Sequence, residues 1–78
     1  MSKGISKAEV VRNFTYWPPR FDEQIEAHKK VREAGMKLAT SIFDQVPDSP
    51  EKEIALRKVE EAVMWANAGI ARPPLQKA

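Results

Sequence analysis

All six prolines of this 78-residue chain fall at three places: Pro18-Pro19, Pro47 with Pro50, and Pro73-Pro74. Proline lacks a main-chain donor, clashes with the preceding helical turn and holds the residue before it extended. No regular element runs through these places, so the fold is built from the stretches between them. Residues 22–46 and 50–72 are long enough for extended helices, and everything before Pro18 is a short arm.

Each stretch carries its own helix signals. Asp22, Glu23 and Glu26 put acid in a first turn, where the exposed N–H groups favour it. Val31, Ala34, Leu38, Ile42 and Gln45/Val46 then recur at spacings of three and four, which predicts an amphipathic helix ending before Pro47. Gly35 lies on that stripe and permits close approach of a neighbouring helix, at about 1 kcal/mol relative to alanine. In VPDSPEKE, Pro47 stops the first helix, Ser49 caps the second, Pro50 occupies its first position, and Glu51 and Glu53 complement its dipole. The second helix is predicted to run to about Arg72, and so short a connection makes an antiparallel hairpin. Ser6-Lys7-Ala8-Glu9 has capping-box form and predicts a short helix through about Asn13, although Val10 and Val11 suit an extended segment equally well.

The second helix has more apolar surface than a hairpin covers. Ala55, Val59, Ala62, Ala66 and Ile70 form the stripe predicted to face the first helix. Ile54, Glu61 and Trp65, flanked by Met64 and Ala68, lie on another face. A large exposed apolar patch marks an interface. Either the arm folds over this face or a second copy does, and the small core available to so short a chain favours self-association. The expected fold is therefore all-α: a short N-terminal helix or arm over 1–21, a long antiparallel helical hairpin over 22–72 and a tail over 73–78, assembling into a homo-oligomer.

Composition excludes several function classes. There is no cysteine, so neither disulfides nor thiolate metal sites are available. The start, MSKGISKAEVV, lacks the apolar core of a secretion signal, and no apolar run approaches the roughly 18–20 residues of a membrane span. The expectation is a soluble cytoplasmic protein. The net charge of +2 is uneven: Lys3, Lys7, Arg12 and Arg20 against Glu9 give +3 over residues 1–21, residues 22–46 and 47–72 each carry −1, and Lys77 adds +1. That is too little for DNA or RNA binding but suits a small anionic ligand. The one histidine, His28, sits beside Lys29 and Lys30 on the polar side of a helix and is expected to face solvent. No HExxH, glycine-rich phosphate loop or activated nucleophile occurs. Glu60-Glu61 and the first-turn acids are accounted for by helix electrostatics. A binding protein without metal or cofactor is expected rather than an enzyme.

The segment FTYWPPR, residues 14–20, places three aromatic rings in four positions ahead of the double proline. The rings either anchor the arm, the reading preferred for Phe14, or present stacking faces. Tyr16 and Trp17 have polar handles and lie in the basic part of the chain. Aromatic faces near arginine suit a purine nucleotide, whose base stacks while guanidinium groups hold phosphate. Arg32 and Arg72 are further cations with ordinary alternatives: a surface ion pair for Arg32 and the closing dipole of a helix for Arg72.

FTYWPPR, VREAGMKLA and VPDSPEKEIALRKVEEAVMWANAGIAR together resemble the phage anti-CBASS type 2 family of cyclic-nucleotide sponges. That family shares a helical-hairpin domain with the sponges that counter Thoeris defence, and the resemblance covers roughly residues 13–72. It implies small helical protomers assembled as hexamers that hold cyclic oligonucleotide signals such as 3′,3′-cGAMP without cleaving them, depriving host effectors of their activator. It implies that Tyr16 stacks on a base, that Arg32 contacts phosphate, and that Arg72 serves a separate site for cyclic trinucleotides. Trp17 stands where the family has histidine and Arg20 where it has lysine, so both are carried as ligand-binding candidates; the spacing from Tyr16 to Arg32 is one residue longer than the family's. An isologous dimer offers Tyr16 and Arg32 twice, matching the near two-fold symmetry of a cyclic dinucleotide. The competing reading is a helical interaction or assembly module in which Tyr16, Trp17 and Trp65 are interface anchors and no small ligand binds.

Overall fold

The computed structural model describes residues 4–73; residues 74–78, most of the expected tail, lie outside the described residues. All regular structure among the described residues is helical: α1 Lys7–Phe14, α2 Asp22–Gln45 and α3 Pro50–Ala71. The capping chemistry explains the boundaries. Ser6 Oγ accepts from the Glu9 N–H at 3.1 Å, which places Val10 and Val11 in helix rather than extended chain. Ser49 Oγ accepts from the Lys52 N–H at 3.1 Å, and Pro50 fills the first turn of α3. Val46 and Arg72 are both extended, as the prolines that follow them require. Phe21 has no acceptor with which to cap α2. There the side chain of Gln24 reaches back and accepts from the Arg20 N–H at 2.6 Å.

The hairpin closes on Gly35. A Cβ at this position would collide with Cγ2 of Val63, so the two helices come together along a row through that pair. Val31, Gly35, Ala39 and Ile42 of α2 are half-buried against Leu56, Val59, Val63 and Ile70 of α3. The sequence stripe is thus corrected by one position: Ala34, Leu38, Ala62 and Ala66 are exposed along the edge of a groove beside the seam. The cause is the missing side chain of Gly35, which draws α3 onto its own row. His28 is corrected as well. It is half-buried on the seam, with Nδ1 2.8 Å from Oδ1 of Asn67, so its Nδ1–H form donates across the hairpin.

The turn is closed by a lysine. Lys52, 8% exposed, is the one buried residue among those described. Its Nζ lies 3.1 Å from Oδ1 of Asp48 and 4.2 Å from the centre of the Phe43 ring.

No apolar side chain among the described residues is fully buried. The accessible surface is 6711 Å², against about 4,800 Å² for a folded monomer of this mass. The radius of gyration is 16.0 Å, against about 11.5 Å for a compact chain of this length. Two helices have only one face each to offer the other. Met36, Phe43, Ile54, Met64 and Trp65 therefore stay largely in solvent, while Ala68 on the second apolar face of α3 is half-buried.

Candidate functional site

The arm is held by polar side chains rather than by helix packing. α1 comes within backbone packing distance of neither long helix. Two arginines instead make a reciprocal clasp: Arg12 Nε donates to the Pro73 carbonyl at 2.7 Å, and Arg72 Nη2 donates to the Asn13 carbonyl at 3.4 Å. Each guanidinium bonds the carbonyl of the residue that follows the other arginine. The Trp17 indole N–H then donates to the Arg12 carbonyl at 2.7 Å, folding the chain back after α1. The Arg20 guanidinium carbon lies 6.0 Å from the centre of the Trp17 ring, at the outer limit of a cation–π contact.

This bracing decides which rings are presented. Tyr16 is 83% exposed and Phe14 85% exposed. The anchor expected at Phe14 is therefore Trp17 within the protomer. Trp17 has an N–H able to reach a carbonyl, and a phenyl ring has none. Arg32 is exposed on α2 and, among the described residues, has neither an ion-pair nor a hydrogen-bond partner. It lines a groove of about 410 Å³ between the helices, with Met36, Leu56, Val63 and Met64 on the walls and Glu60 at the rim. Arg72 lies in a separate cleft of about 280 Å³ between α1 and α3, together with Arg12, Asn13, Glu9 and Trp65. Tyr16 lines neither the Arg32 groove nor the Arg72 cleft.

Both signs of charge line the clefts, with Glu9 beside Arg12 and Arg72 and Glu60 beside Arg32. Among the described residues Arg57, bonded to Glu53 at 3.2 Å, is the one arginine in an ion pair. Arg12 and Arg72 spend one donor each on a neutral carbonyl, leaving full charge and further donors in their shared cleft. Arg12 and Trp65 were not foreseen in this cleft. Arg12 lies 61 positions from its partner Pro73, and no local pattern signals such a pairing. Among the described residues no three histidine, aspartate or glutamate side chains gather closely enough to hold a metal ion. No helix among them is long and apolar enough to cross a membrane.

These features define a small helical-hairpin protein with a braced, outward-facing aromatic arm. Residues 6–71 match the family described as Acb2/Tad1, hairpin domain, and the chain belongs to that family. The match takes in α1, the arm and both long helices, and ends one residue before Arg72. No curated protein and no solved structure matches the chain.

Proposed function

We propose that this protein is a non-catalytic sponge, which binds cyclic oligonucleotide immune signals such as 3′,3′-cGAMP in the bacterial host cytoplasm and withholds them from CBASS effectors. The observation that carries this reading, beside the family match, is the presentation of Tyr16: its ring is 83% exposed on an arm whose neighbours are fixed by Trp17, Pro18 and Pro19. A preset stacking face costs little ordering on binding. Arg32, exposed and without a partner among the described residues, supplies a bidentate phosphate donor. Trp17 and Arg20 flank the base as a ring and cation already in register. The Arg72 cleft, with two guanidiniums that among the described residues are bonded to no carboxylate, and with Glu9 on its lining, is the second site, suited to a cyclic trinucleotide.

The site is completed by a homo-oligomer, a hexamer in the family's manner, in which one protomer's Tyr16 meets its partner's Arg32. The surface supports this assembly. The chain exposes about 1,900 Å² more than a monomer of its mass, roughly twice the 800 Å² that one partner contributes to a standard interface. More than one interface per protomer accommodates that excess.

Calorimetric titration with 3′,3′-cGAMP, followed by denaturation and chromatography of the released ligand, tests the proposal. Tight binding near one ligand per two chains with intact recovery is expected. Cleaved ligand would make the protein an enzyme. A failure to bind any cyclic di- or trinucleotide would leave an assembly module.

A further inference from the structure

We infer that Gln24 is the positioning residue of the arm, setting the place of Tyr16 and Trp17 without touching ligand; this rests on the sponge reading above. Between Thr15 and Phe21 the main chain makes no hydrogen bond to main chain, and Pro18 and Pro19 have no N–H to give. One main-chain donor in this stretch has a partner: the Arg20 N–H, held by Gln24 Oε1 at 2.6 Å. The other end of the same amide, Nε2, donates to the Ile70 carbonyl at 3.1 Å. That carbonyl belongs to the last turn of α3, where helical carbonyls have no intrahelical partner.

A single half-buried side chain therefore joins three segments: the arm after its prolines, the first turn of α2 and the last turn of α3. The Trp17–Arg12 bond fixes the arm on the near side of Pro18-Pro19, and Gln24 fixes it on the far side. With both ends held and two proline φ angles locked between them, Trp17 has little freedom left, and Tyr16 is joined directly to it. Gln24 also sets the chain at Arg20, whose guanidinium carbon lies 6.0 Å from the centre of the Trp17 ring. Glutamine suits this place because it must accept at one end and donate at the other. No other uncharged side chain of that length does both.

Two substitutions separate arm-holding from helix-capping. Gln24→Met keeps the length and loses both bonds; Gln24→Glu keeps the oxygen facing the Arg20 N–H and loses the donor to Ile70. Affinity for 3′,3′-cGAMP is measured by calorimetry. Arm order is measured without ligand, from the exchange rate of the Trp17 indole proton by NMR, and sedimentation checks assembly. Gln24→Met is expected to weaken binding about five- to tenfold and to speed indole exchange by a similar factor, with assembly unchanged. Gln24→Glu is expected to recover most of both losses. Equal losses in the two variants would reduce Gln24 to a cap of α3 and overturn the inference. Unchanged indole exchange in Gln24→Met would overturn it too, whether or not nucleotide binds. If the parent protein binds no cyclic nucleotide while the indole still responds as expected, the sponge reading falls and the positioning of the arm stands.

Discussion

The hairpin and the arm are held by different physics. α2 and α3 meet along a row of small and branched side chains, closed to contact by Gly35 and keyed by His28 and Asn67. The arm buries little and hangs from main-chain carbonyls at the ends of α1 and α3, through Arg12, Arg72, Trp17 and Gln24. Packing energy is cooperative and is lost as a unit, whereas a few hydrogen bonds at a chain end open locally. Stability therefore resides in the hairpin. The arm is free to carry exposed rings that a packed core would have to cover.

Four substitutions, compared at one protein concentration because assembly couples to stability, test that division from the largest expected effect to the smallest. Gly35→Leu drives a side chain into Val63 and separates the helices. It is expected to destabilise by about 2–3 kcal/mol, read as a lowered midpoint in thermal circular dichroism. An unchanged midpoint would mean that the Gly35–Val63 contact does not hold the hairpin. Ser49→Ala removes the cap of α3 and is expected to cost about 1 kcal/mol in the same unfolding transition. Ser6→Ala removes the equivalent cap of α1, yet the global midpoint is expected to move by less than about 0.5 kcal/mol, since α1 lies outside the packed unit. Its effect should show as faster amide exchange over residues 7–14. If Ser6→Ala cost as much as Ser49→Ala, arm and hairpin would be one cooperative unit. Tyr16→Ala is expected to leave the midpoint unmoved, because the ring is 83% exposed. It should nonetheless weaken cyclic dinucleotide binding about five- to 150-fold, as loss of a stacking contact of about 1–3 kcal/mol does. Lost stability with unchanged affinity would place Tyr16 in an interface and favour the assembly module.

The local codes of the chain were legible. Ser6, Ser49, Pro50 and the proline pairs act within one turn of themselves, and the three helices begin and end beside them. The choice of seam was less so. Ala34 and Gly35 both fit a helical stripe, and periodicity alone cannot rank two neighbouring rows. The approach of α3 ranked them, because a glycine admits a helix closer than an alanine does. The site was legible in kind through its aromatics and arginines, but not in arrangement. The sequence made Phe14 the anchor and gave Trp17 a polar handle for a ligand, whereas that handle, the indole N–H, reaches the Arg12 carbonyl and makes Trp17 the anchor.

The sequence by itself determined that this chain makes two long helices, a tight turn, a short arm set off by prolines and an excess of apolar surface. Each follows from residues near one another along the chain, through capping, proline geometry and the 3.6-residue period. The tertiary structure alone decided what those helices bring together. Arg12 with Pro73, Arg72 with Asn13, Gln24 with Ile70 and His28 with Asn67 are pairings across 39 to 61 positions. Such contacts depend on the register at which Gly35 lets α3 lie against α2, and a register is a property of two surfaces in contact rather than of either sequence alone.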